Sequence, residues 1–233
     1  MKWQVNLVGE PVTLDYLSKI FNSQDLHICW EEGRYILESS SFAQFSDSRN
    51  VKEATTKFLT AINATKKLTF SPSKPIECGS INAIDEKGNR TLYLEDTLSI
   101  SSRIHGGLTI VRANGTIDEK TVDGSMVRWI PLIDTDEKVH RVFNLMNHDF
   151  NSYIGFYKIV EVIQEDGFTP LMKNGEFYND IKLFKQTAQS YSAVREAARH
   201  AHSRFTSPET PMELPAAREL VKRIVKMWLD SKI

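Results

Sequence analysis

The period of the hydrophobic positions changes once along the chain, near residue 134. Before it, short strands and helices alternate. Thr13 has the chemistry of an N-cap, and Leu14, Leu17, Ile20 and Phe21 then share one face of a short helix ending near Phe21. Residues 27–31 and 34–38 are rich in β-formers and flank Glu32-Gly33, which predicts a hairpin. Asn50 with Glu53 makes a capping-box pattern, and Val51, Ala54, Phe58, Leu59 and Ile62 recur at helical spacing, predicting a helix over about 51–67. From Pro75 onward the pattern predicts extended segments at 76–84, 91–101, 107–113, 116–122 and 126–133. Lys87-Gly88-Asn89 and Ala113-Asn114-Gly115 supply turns, the second pairing residues 109–111 with the strand around Ile117.

After residue 134 the pattern is helical. Asp134 with Glu137 predicts a cap, followed by the stripe Val139, Val142, Phe143 and Met146. A strongly apolar second helix is expected over 151–164 and a third over about 177–201. Pro208, Pro211 and Pro215 punctuate a polar loop. A last helix then opens with Pro215 at its first position and buries Ala217, Leu220, Val221, Ile224, Val225 and Trp228. The expected fold class is α+β: a mixed domain over 1–133 with an antiparallel sheet and helices, and an antiparallel helical bundle over 134–233.

Composition narrows the class without naming a function. The 233 residues are 41% hydrophobic and 25% charged, as in ordinary globular proteins. Mean hydropathy is −0.34, and the apolar runs fall far short of the roughly 20 residues of a membrane-spanning helix. The first residues lack the apolar core of a secretory signal, so cytoplasmic residence and no membrane partner are the expectations. Cys29 and Cys78 are too few for a disulfide scaffold and are expected to be buried free thiols. Net charge is −1, but the charge is uneven. Acids outnumber bases nine to four over 134–181, and bases outnumber acids ten to five over 182–233. This suits either a solvated face complementing the acidic half or a patch that meets phosphates.

The densest reactive cluster is the run from Arg195 through Glu196, Arg199, His200 and His202 to Arg204. If one helix continues to residue 201, the stripe Ile181, Phe184, Ala188, Tyr191, Val194 and Ala198 turns cationic at its end. On an ideal helix Arg195, Arg199 and His202 then lie within about 40° of the stripe or its edge, and His200 about 140° from Arg195. Buried charge needs a partner: acids of 134–181, an anion, a second subunit, or water at the bundle end.

Arg195 with four residues to His200, or six to His202, resembles the Arg-x4-to-6-His motif of the HEPN superfamily of four-helix-bundle domains. The resemblance covers 134–233 and includes the Pro-rich loop and the final amphipathic helix. Glu196 stands where catalytic members usually have Asn, Asp or His. The resemblance implies RNA binding or metal-independent RNA cleavage at a homodimer interface, in prokaryotic defence or stress response. Arg195, His200 and His202 would be catalytic, Arg199 and Arg204 would bind phosphate, and no metal or cofactor would take part. The ribose 2′-OH is then the nucleophile, histidine moves the proton, and arginine holds a phosphate oxygen. The alternative is a non-catalytic interaction or dimerisation module, with a protein partner for the N-terminal domain. His105 beside Gly106-Gly107 reads as a hairpin turn, and His140 with His148 lacks a third metal ligand.

Overall fold

The computed structural model describes residues 1–69, 74–93, 124–200 and 204–233. The fold is α+β. It divides into two compact units, Met1–Asn63 with Ser71–Val127, and Ala64–Phe70 with Arg128–Ile233.

In the first unit, strands β1 (Lys2–Val8), β2 (Leu26–Glu31), β3 (Arg34–Ser39), β4 (Glu77–Ile84) and β5 (Arg90–Tyr93) form an antiparallel sheet of order β2-β3-β1-β4-β5. The β2–β3 hairpin forms as expected. Glu32 and Gly33 both take positive φ, 50° and 82°, the backbone a two-residue hairpin turn demands. Trp3, Val5 and Leu7 alternate with more polar neighbours on β1 and are buried, as are Ile28, Leu37 and Ile81. Helix α1 (Pro11–Ile20) adds Leu14 and Leu17 to this core. The first sixteen residues of helix α2 (Ser48–Thr69) add Val51, Leu59 and Ile62.

Two helix starts differ from expectation. Thr13 is not an N-cap but a buried residue of the first turn; α1 opens at Pro11, whose missing N–H costs nothing there. Asn50 lies inside α2, and Asp47 supplies the capping oxygen, accepting from Arg49 N at 2.8 Å. The expected strand over 126–133 is a correction in kind. Its residues form two short helices, α3 (Ser125–Trp129) and α4 (Leu132–Thr135). The buried positions Met126, Trp129, Ile130 and Ile133 have helical spacing, and Pro131 holds a helical φ just ahead of α4. Of the expected strand 91–101, residues up to Tyr93 belong to β5. The rest, with 107–113, 116–122 and His105, lies outside the described residues. Cys29 and Cys78 are free thiols but only half-buried.

The second unit is a helical bundle of α5 (Glu137–His148), α6 (Tyr153–Glu165), α7 (Tyr178–Gln189), the single turn α8 (Tyr191–Val194) and α9 (Leu214–Asp230). No strand occurs after residue 134 among the described residues. The expected stripes on α5 and α9 are buried, and α6 contributes Phe156, Ile159, Val160 and Ile163. The cap of α5 is Asp136 rather than Asp134, which falls inside α4. Asp136 accepts from Lys138 N and Val139 N at 2.8 and 3.0 Å and pairs with Lys232 beyond α9 at 2.6 Å. Lys232 also pairs with Asp166 after α6, at 2.7 Å. This chain of contacts ties three helix ends together. Gly155, in the first turn of α6, lies against the Asp149 carbonyl, which an added Cβ would approach to 2.0 Å.

Burial alone would raise the Asp136 carboxyl. The Lys232 hydrogen bond and charge, with the two helix N–H groups, outweigh it and hold the group below the usual aspartate range. A depressed carboxyl stabilises the fold above its unfolded pKa, and that stability is lost as pH falls through the folded value. The bundle should therefore weaken below about pH 4. Asp136→Ala is expected to cost about 2 kcal/mol in urea unfolding at neutral pH. Asp136→Asn, which keeps a capping oxygen, should cost less and flatten the acid limb. Gly155→Ala should destabilise by at least about 2 kcal/mol, read from the same titration.

Candidate nucleic-acid interface

The third long helix does not run to residue 201. It ends at Gln189, and Ser190 is extended, with φ −89° and ψ 115°. The Ala188 carbonyl, which a continuing helix would offer to residue 192, accepts instead from Arg199 N at 2.8 Å. Ser190, fully buried, donates its hydroxyl to the Phe205 carbonyl at 3.2 Å. Thr187 Oγ1 accepts from Met212 N at 3.0 Å. The chain after α8 is thus stitched back along α7, and the expected cationic extension of the apolar stripe does not form.

The sequence-derived cluster is split by this return. Arg195 has φ 53° and ψ −129°, a conformation an L-residue rarely adopts, and is exposed. Among the described residues no acid pairs with it. Arg199 turns to α6: its guanidinium lies 4.2 Å from the Tyr157 ring centroid and 3.1 Å from Glu161 Oε1. His200 stacks on Phe205, with ring centroids 5.1 Å apart. Arg204 reaches over the face of the same Phe205 ring, 6.0 Å from its centroid. His202 lies outside the described residues. Arg199, His200 and Arg204 therefore gather on one surface, and Arg195 stands apart from their contacts.

Sequence reasoning missed the neighbours that complete this surface. A concavity of about 640 Å³ is lined by Lys182, Lys185 and Arg204 with the rings of Tyr178 and Phe205, and its lining contains no carboxylate. Tyr178, Lys182, Lys185 and Gln189 recur at intervals of three and four on α7, a helical face that was legible beside the apolar stripe. Phe205 reaches it only through the return of the chain. Lys185 lies over the Tyr157 ring at 5.1 Å and donates to Gln164 Oε1. Burial pushes its ammonium below the usual lysine range; Glu161 opposes this and the Arg199 charge adds to it. An incoming anion would relieve that desolvated, like-charged pair.

Of the further concavities, one of about 720 Å³ near the end of α9 carries Asp166 and Asp230 with Lys232, and one of about 580 Å³ in the α+β unit includes Lys2, His27 and Glu38. Lys2 pairs with Glu38 at 2.7 Å, which leaves it no cationic excess comparable to the first. Among the described residues no group of three or more His, Cys, Asp or Glu is placed to hold a metal ion, and no helix is long and apolar enough to cross a membrane. The chain matches no protein-family model, no curated protein and no solved structure.

The positive φ of Arg195 carries a test. Arg195→Gly removes the Cβ that makes this backbone costly, so it should stabilise the protein by about 1 kcal/mol in urea unfolding. Arg195→Ala keeps the Cβ and should bring no gain.

Proposed function

We propose that the helical unit binds RNA through the surface formed by α7 and the returning segment. The observation that carries this reading is the concavity whose lining holds three cations, two aromatic rings and no acid. Cations attract the phosphates of a single strand, and rings stack with its bases; together they make the usual platform for unpaired nucleic acid. A duplex would leave its bases stacked inside, away from Phe205 and Tyr178. The reading agrees with the RNA chemistry that the HEPN resemblance implies. Its emphasis is binding, because Arg199 is held by Glu161 and Tyr157 and His200 by Phe205. The expected two-fold partner was argued from a continuous cationic stripe on the third helix. With that stripe ending at Gln189, the reading requires one copy of the chain.

Fluorescence anisotropy with a labelled single-stranded RNA tests it. Three phosphate contacts predict a slope of about −2 for log affinity against log salt. Lys182→Ala or Arg204→Ala should weaken binding about tenfold at low salt and make the slope shallower. Affinity should also fall as pH rises toward the lowered pKa of Lys185, since its charged form binds. No binding at low salt would leave the interaction-module alternative. Recovering the RNA after incubation with chelator reads cleavage at the same time. Intact RNA is expected; chelator-resistant cleavage lost in both Arg195→Ala and His200→Ala would make the protein the ribonuclease of the resemblance.

A further inference from the structure

The sheet of the α+β unit has a second face that its apolar core does not use. Trp3, Val5 and Leu7 of β1 belong to the core, so Gln4 lies on the opposite face. Its cross-strand partner Asn82 of β4 shares that face, as do Leu92 of β5 and, on β3, Arg34 and Ile36. Accumulated twist brings two diagonal corners of this face together. Arg90 opens β5 beside the start of β1, whereas the β2–β3 turn lies at the other end of the sheet. Its guanidinium nevertheless reaches Glu31 at 3.6 Å and Glu32 at 2.9 Å, with β4, β1 and β3 lying between β5 and β2. The face is therefore concave, and a cavity of about 200 Å³ lies within it. Gln4, Ile36 and Asn82 are its buried lining, and Glu31, Arg34, Arg90 and Leu92 stand nearer to solvent.

Two buried amides in this lining are incompletely satisfied. Asn82 is 8% exposed, and its side chain makes no hydrogen bond among the described residues. Gln4, 4% exposed, gives both amide hydrogens to carboxylates: Nε2 donates to Glu38 Oε1 at 2.7 Å and to Glu31 Oε2 at 3.1 Å. Lys2 and Arg90 pair with those same carboxylates and favour their ionised form. The Gln4 amide is thus fixed by its two acceptors, and only Oε1 remains, as an acceptor without a donor among the described residues. A buried amide left unmet costs stability unless something in the cavity meets it. Arg34 pairs with no acid among the described residues, unlike Arg90. An acceptor beside two carboxylates suits a cationic donor, and an unpaired guanidinium suits a carboxylate. Glu31 and Glu32 balance Arg34 and Arg90 in the lining, so a ligand without net charge fits best. The volume admits only a small molecule, since pockets for drug-sized ligands begin at roughly 300 Å³. We propose that this cavity binds a free α-amino acid with an apolar side chain. The ammonium donates to Gln4 Oε1, the carboxylate accepts from Arg34 and the Asn82 amide, and the side chain rests on Ile36 and Leu92.

Isothermal titration calorimetry of the full chain tests this, with valine and leucine as probes. Valinamide, which lacks the carboxylate, and 3-methylbutanoate, which lacks the ammonium, are the controls. Valine and leucine should bind once per chain, and each control at least about tenfold more weakly than valine, because each leaves a charged contact unmade. Arg34→Ala, at an exposed position, should weaken valine at least about tenfold. Asn82→Leu, which keeps the volume and removes the amide, should do the same; if thermal melting shows that it does not fold, Arg34→Ala decides. No heat from valine or leucine at millimolar concentration would overturn the proposal. So would controls that bind as tightly as valine, or valine binding unchanged by Arg34→Ala.

Discussion

The Arg199 guanidinium lies over the Tyr157 ring and reaches Glu161, while its backbone N–H closes the end of α7 on the Ala188 carbonyl. One residue thereby joins two helices and the chain that leaves them. Without that closure the last turn of α7 would expose an unsatisfied carbonyl, and an apolar pattern running through Tyr191 and Val194 would favour more helix. With it, the chain turns at Ser190 and comes back. The return lays Phe205 and Arg204 beside Lys182 and Lys185 and so makes a concave surface from what would have been a convex helix end.

The electrostatics follow from the same geometry. Glu161 is engaged by Arg199, and the lining of the concavity, with Lys182, Lys185 and Arg204, contains no acid. Elsewhere in the bundle several cations meet acids in pairs: Lys232 with Asp136 and Asp166, Lys138 and Arg141 with Glu165, Arg223 with Glu176. The exposed pairs among these, such as Arg141 with Glu165 and Arg223 with Glu176, add little stability. The lining of the concavity brings three cations beside two aromatic rings, where a phosphate-bearing ligand gains most.

How much of this was legible depends on the range of the interaction concerned. The β2–β3 hairpin and the buried stripe of α9 are set by neighbouring residues, by Glu32-Gly33 in one case and by apolar spacing in the other, and both could be read directly. The segment 126–133 could not, because Trp129 and Ile130 are adjacent and suit either period. Only the burial of Met126 and Ile133 with them shows the helix. The end of α7 was hidden for a different reason. Its apolar positions keep helical spacing beyond Ser190, and what stops the helix is a contact from eleven residues downstream. The candidate site inherited that error. Arg199, His200 and Arg204 were found by residue type, whereas Lys185 and Phe205 needed the fold to bring them together.

The central claim is that single-stranded RNA rests on the face shared by α7 and the returning chain. Ultraviolet cross-linking of an oligocytidine to the full chain, with the linked peptides mapped by mass spectrometry, tests it most directly. The account predicts cross-links at Tyr178 and Phe205 that disappear when excess unlabelled single strand is added. Cross-links confined to residues of the α+β unit, or spread without preference over both units, would contradict it.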